Sequence, residues 1–377
     1  MSWGGFAAAL IAIGGALVPS TGEGSDPVVP VMVDGPEWTV EDASPSGSPF
    51  VEIDGRRAIH LRRGVAVFER GQTRDGVLEA DLRPTAANGG FLGLAFRVQS
   101  REHFELVYVR FGHSGQADAV QYDPFLNGSI TWQLHPEAQA AAALPSDRWT
   151  HLRIVFAGTR AKIFVGDASK PTLVVPNLSE MPVSGKIGVF SLADGGYVSN
   201  LRLTPLVGTA GPSATPAPAK GTIVDWQVSP SLDVRKIDPS SYPATDNWTW
   251  RDLRSDPSGI LVVNRIYASY TGFPPTRADI EARRAPGRLV FARATIRSDR
   301  PRVRALDLGY SDNVTVFLNG RPLYTGANAL GYREAGHAGR ISLSDKVALP
   351  LRAGRNELMV ALSDYGGGWG MQARLEP

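Results

Sequence analysis

Short runs of alternating apolar and polar residues dominate two stretches of the chain. In the first they include Ala58–Leu61, Ala66–Glu69, Gly76–Leu82, Phe91–Val98, Phe104–Phe111, Ser129–Leu134, His151–Phe156, Lys162–Val165, Lys186–Ser191 and Val198–Leu203. A period of two, broken about every ten residues by Gly, Asp or Asn, predicts half-buried strands of an all-β sandwich. Asp54-Gly55 is a hairpin turn signal. The second stretch repeats the pattern in Ile260–Val263, Leu289–Ile296, Ala305–Leu308, Val314–Leu318, Ile341–Leu343, Lys346–Leu351, Glu357–Ser363 and Met371–Leu375, with an Asn319-Gly320 turn. Thr276–Arg284 alone reads as a helix, because Thr276 and Asp279 form a capping pair and Pro286-Gly287 ends it.

Residues 207–221 carry no core pattern and are rich in Pro, Ala and Thr, which predicts a semi-extended linker. The expected organisation is therefore two tandem β-sandwich domains, 34–206 and 222–377, joined by a Pro/Ala-rich linker. Phe6–Val18 is an apolar run of 13 residues, shorter than a membrane-spanning helix and of signal-peptide length. Residues 1–20 are read as a signal peptide, and the protein as secreted, periplasmic or at the cell surface. No other stretch predicts a transmembrane segment.

Composition narrows the chemistry. The 377 residues include no Cys, so disulfides, thiolate metal sites and a Cys nucleophile are excluded. Gly 41 and Pro 28 suit a turn-rich β protein. Of 39 basic residues only 6 are lysine. Residues 34–206 hold 17 basic and 19 acidic residues, whereas 222–377 hold 21 and 16, a net +5. That surplus is interspersed with acids and no nucleic-acid module accompanies it, so a solvated surface is expected and nucleic acid is not a partner. An acidic polysaccharide is the sharper alternative. No His-Glu-x-x-His, Gly-x-Ser-x-Gly or phosphate-binding loop occurs.

Two resemblances add to this. The run Gly89-Gly90-Phe91-Leu92-Gly93-Leu94-Ala95-Phe96-Arg97-Val98, then Phe104–Arg110, Ala119–Tyr122, Asp147-Arg148-Trp149-Thr150-His151-Leu152-Arg153-Ile154 and Gly185–Phe190, resembles the concanavalin A-like lectin/glucanase superfamily in its laminin-G-like, keto-disaccharide-hydrolase-like branch. The resemblance implies a jelly roll whose concave face binds or cleaves glycans. In the second stretch Trp226-Gln227-Val228-Ser229, Trp248-Thr249-Trp250, Ser311–Gly320, Leu349–Leu358 and Gly367–Leu375 look like a galactose-binding-like jelly roll. Such domains often recognise sugars. Some hold a structural calcium, but no dense oxygen-ligand run is present and no metal or other cofactor is assigned.

Sugar sites combine an aromatic platform with planar hydrogen-bonding groups. Arg97, Arg110, Gln121, Gln133 and His135 form the expected polar cluster, with Tyr108 or Trp132 as platform. Trp248, Trp250 and Tyr270 are the candidates of the second domain; Trp149, Trp226 and Trp369 read as core. Retaining glucanases of that superfamily carry Glu-x-Asp-x-x-Glu on one strand. Glu79-Ala80-Asp81-Leu82-Arg83-Pro84 lacks the last Glu, leaving Glu79 and Glu105 as weak catalytic candidates. The expected function is non-catalytic carbohydrate recognition. The alternatives are a glycoside hydrolase or polysaccharide lyase, and a surface module that binds proteins.

Overall fold

A computed structural model describes residues 29–376 except 32, 34, 43–47, 87–88, 181, 207–216, 271–275, 330–331 and 334–338. The expected signal peptide and most of the expected linker lie outside the described residues. Among the described residues the chain forms four antiparallel sheets, two in each half.

The first sandwich pairs an eight-stranded with a nine-stranded sheet. Gly76–Arg83, Thr150–Ala157 and Gly196–Pro205 lie centrally in the eight-stranded sheet, and Phe91–Ser100, His103–Arg110 and Gly185–Leu192 in the other. Alternation is strict in Gly76–Arg83 and Thr150–Ala157, where every second residue is buried. Leu78, Ala80, Leu82, Leu152, Ile154 and Phe156 meet Leu92, Leu94, Phe96, Val107 and Val109 in one core. The outer face of the nine-stranded sheet carries a second apolar cluster of Val65, Val67, Ala95, Phe104, Leu106, Tyr108 and Phe190.

The second sandwich packs a seven-stranded sheet on a four-stranded one. Val290, Val316, Val360 and Leu362 face Leu306, Leu308, Leu349 and Met371, with Trp226 and Trp369 buried among them as expected. Asn319 and Gly320 adopt φ of 51° and 82°, the left-handed pair a type I′ hairpin needs. The helix is one short turn, Arg277–Glu281, and Thr276 caps it by accepting from the Asp279 N–H at 3.2 Å. No helix of the described residues is long and apolar enough to cross a membrane.

Three expectations fail locally. Ile341–Leu343 is not a strand: Ile341 is buried, and its N–H donates to the Gln133 carbonyl at 2.9 Å. Ser129–Leu134 is only a two-residue strand, Ser129–Ile130, followed by a 3₁₀ turn, Trp132–Leu134. Trp149 is half-buried rather than core, with the Arg56 guanidinium 5.2 Å from its ring centroid.

The two sandwiches meet in a seam. Leu126 and Leu134 of the first pack with Ile260, Val262 and Ile341 of the second. Asn127 Nδ2 donates to the Asn264 carbonyl at 2.5 Å, and Arg265 Nη2 to the Ser179 carbonyl at 2.6 Å.

Candidate functional site

Two adjacent strands build the candidate site. Phe91 pairs with Arg110 and Gly93 with Tyr108, so these positions share a face. Tyr108 pairs in turn with Gln121 on Val120–Tyr122. Tyr108 is buried, and its hydroxyl donates to Gln121 Oε1. Gln121 Nε2 reaches Gln139 Oε1 at 3.4 Å. These groups form the floor of the site.

Arg110 is the half-buried outer end of that floor. Its guanidinium sits 5.1 Å from the Phe91 ring centroid. It donates to Asp118 Oδ2 and lies 2.9 Å from His113 Nε2, while His113 Nδ1 is 2.9 Å from Asp118 Oδ1. The three side chains therefore close a ring of charge-assisted hydrogen bonds. The Asp118 carboxyl is held below the usual range: burial opposes this, but the His113 and Arg110 contacts outweigh it. Arg340 of the second sandwich lies 4.0 Å from Asp118 Oδ2, and its guanidinium is 5.6 Å from the Trp132 ring centroid.

Of the residues expected here, Tyr108, Arg110 and Gln121 come together, and Trp132 joins them through Arg340. Arg97, Gln133 and His135 do not. At Arg97 the strand bulges and φ turns to +50°, which ends the alternation and swings the side chain inward. Its guanidinium is buried, donating to the Gly158 carbonyl at 2.6 Å, the Arg74 carbonyl at 2.8 Å and Asp75 Oδ1 at 3.2 Å. Gln133 is buried in the seam, where Oε1 accepts from the Gly368 N–H at 2.6 Å. His135 is also buried, and burial pushes its pKa down to about 4. Arg110, Gln121 and Gln133 therefore share no open groove.

The carboxylate candidates lie elsewhere. Glu105 faces the inside of the first sandwich, opposite Arg110 along the strand. It accepts from the Tyr122 hydroxyl at 2.6 Å and the Glu180 N–H at 3.1 Å, and burial pushes it up to about 7. Glu79 and Asp81 are on the other sheet's outer face, bound to His151 at 3.5 Å and 2.9 Å. Glu105 shares no space with Glu79, whereas Glu79 and Asp81 lie on one face with His151 between them. Among the described residues no three His, Asp or Glu side chains group as a metal site requires.

In the second sandwich Trp248 and Trp250 pack on each other, 5.7 Å between centroids, and Trp248 on Phe291 at 5.3 Å. Arg293 covers the Trp250 ring at 3.9 Å. The Tyr270 N–H donates to Asp364 Oδ2 at 2.6 Å.

Sequence reasoning missed His113, Asp118, Gln139 and Arg340. Arg110, His113 and Asp118 are close in sequence, but a loop around a 3₁₀ turn at Phe111–His113 brings them together, and their spacing follows no strand or helix period. Arg340 arrives from the other sandwich and carries no local signal.

No family model matches the chain, and no curated protein matches it. Solved structures do. A carbohydrate-binding module from Bacillus subtilis is 17% identical, over 45% of this chain and 91% of that one, with a TM-score of 0.32. A Bacillus licheniformis beta-glucanase is 12% identical over 49% and 99%, TM-score 0.33. The exoplasmic/lumenal domain of VIP36, in a form bound to Ca2+ and Man3GlcNAc, is 11% identical over 48% and 87%, TM-score 0.33.

Proposed function

We propose that the protein binds carbohydrate without cleaving it, at the Arg110 end of the first sandwich. The observation that carries this reading is the Arg110–Asp118–His113 ring, with Arg110 over Phe91, Arg340 over Trp132 beside it, and Tyr108 on the same sheet face. Vicinal sugar hydroxyls donate and accept at once, and a linked Arg, Asp and His offers both roles within one sugar's width. The part-exposed rings of Phe91 and Trp132, each with a guanidinium on one face, supply in their remaining surface the apolar contact that a sugar's C–H face needs.

Glycoside hydrolysis needs two carboxyls about 5–10 Å apart across one bond. Glu105 and Glu79 lie on different sheets, and the nearer pair Glu79 and Asp81 is held by His151 and Arg56, which supports binding rather than hydrolysis. The reading includes export, on the signal-peptide length of Phe6–Val18, and domain limits near 34–206 and 222–377. A glycan array followed by calorimetry on the full chain tests it. Saturable binding that weakens tenfold or more in Arg110→Ala and is unchanged in Glu79→Gln is expected. Glycan binding of which no component weakens in Arg110→Ala, or turnover of a polysaccharide that Glu105→Gln abolishes, would overturn it.

A further inference from the structure

The second sandwich has a hollow on the outer face of its seven-stranded sheet, and the sequence explains why. Two rows of paired residues cross three strands there. Asn313 lies between Ser363 and Ala327, and Thr315 between Ala361 and Thr325. All are short, whereas the next residues along that face, Phe317 and Met359, are large and buried in a cluster. Side chains two apart share a face, so the short rows leave a gap that the large ones fill. Ile280 of the helix Arg277–Glu281, with Tyr332 and Tyr365, walls the gap. The resulting pocket holds about 240 Å³.

Its lining is mostly apolar carbon over a floor of uncharged polar groups. The floor offers the Asn313 amide and the hydroxyls of Thr315, Thr325 and Ser363. The Asn313 side-chain oxygen is buried and has no hydrogen-bond partner among the described residues. With next to no accessible surface, that oxygen underlies the floor rather than meeting a ligand directly. The charged groups at the rim are already neutralised. Arg283 donates to Asp238 Oδ1 at 2.5 Å, and Glu281 accepts from Arg277 Nε at 2.8 Å. The walls are apolar carbon from Val234, Ile280 and the two tyrosines. A volume below the roughly 300–1,000 Å³ of sites for drug-sized molecules admits one ring rather than an extended chain.

We propose that this pocket is a second, independent site, and that it takes one neutral sugar ring as the terminal unit of a saccharide. Its geometry stands alone; only the choice of a sugar among small polyols rests on the carbohydrate reading of the first sandwich. Its hydroxyls exchange hydrogen bonds with Thr315, Thr325 and Ser363, and its C–H face meets the tyrosines.

The test is calorimetric titration of the full chain with methyl glycosides of glucose, galactose, mannose, N-acetylglucosamine and arabinose. It is run beside Thr315→Val, Thr325→Trp and Arg110→Ala, with thermal melts to check folding. Thr325 is exposed on the sheet's edge strand, so a Trp there blocks the pocket without entering the core. At least one glycoside should bind, at least tenfold more weakly in both pocket variants, with that binding persisting in Arg110→Ala. Binding lost in Arg110→Ala but kept in both pocket variants overturns the pocket and leaves the first site standing. Binding lost only in the pocket variants, with no glycan affinity attributable to Arg110, upholds the pocket while the first site fails. No binding of any glycoside to the wild-type chain overturns the pocket.

Discussion

The Gln133 side chain grips the Gly366–Gly368 turn from both sides, accepting from the Gly368 N–H at 2.6 Å and donating to the Gly366 carbonyl at 3.1 Å. One primary amide thus satisfies two backbone groups of the other sandwich. A Cβ at Gly367 would lie 2.5 Å from the Gln133 amide, which is why the turn needs glycine there. Gln133→Ala leaves two groups in the seam without partners, at about 1–3 kcal/mol each. Calorimetric unfolding of the variant should show a lower Tm and two resolved transitions where the wild type shows one. A single transition at the wild-type Tm would mean that Gln133 does not couple the sandwiches.

Arg97 answers for the integrity of the first sandwich. It is buried, and Asp75 depends on it as well as on the Gly158 N–H, which donates to Asp75 Oδ1 at 2.8 Å. Removing one partner of a buried ion pair costs about 3–5 kcal/mol. Arg97→Ala should therefore lower the urea midpoint sharply and abolish binding only through loss of folded protein. A variant that stays fully folded yet binds no glycan would return Arg97 to the binding site.

Glu105 links stability to pH. Its carboxyl titrates near 4.5 when unfolded and near 7 when folded, because burial disfavours the charge. Its contribution to stability is full below pH 4.5 and is lost as pH rises through 7. Asp123 and Asp312, both pushed up to about 7 by burial, act in the same direction. Urea titrations at pH 5 and pH 8 should show a higher midpoint at pH 5. Glu105→Gln should narrow the gap. An unchanged gap would place the pH response in the other buried acids.

Trp248 and Trp250 serve packing. Trp248 lies against Phe291 and Trp250 under Arg293, so each half-buried ring has one face taken by packing. Trp248→Ala should cost roughly 2 kcal/mol, below the 3–5 of a fully buried ring, and leave glycan binding unchanged. A loss of affinity without a loss of stability would contradict this.

The strands and both cores were readable because a period of two survives along most of them, as in Leu78, Ala80 and Leu82. Where the period failed, the residue inference failed with it. The bulge at Arg97 reversed one side chain, and the 3₁₀ turn at Trp132–Leu134 took Gln133 off the strand that would have presented it. Tyr108 and Arg110 were legible because their strand is regular up to its end. Arg340 and the seam were not, because contacts between residues 200 apart leave no trace in local pattern. The hollow over Asn313 follows from small residues on three strands, which only the cross-strand register aligns.

The seam joins surfaces of a single polypeptide, so its bonds form at the effective concentration set by the intervening chain rather than at the concentration of the protein in solution. Five apolar side chains and a handful of hydrogen bonds then suffice for a lasting union. The same two sandwiches supplied as separate chains would meet only as weak, dilutable partners. Covalent continuity, more than the strength of any one contact, is what makes Arg340 a standing neighbour of Asp118.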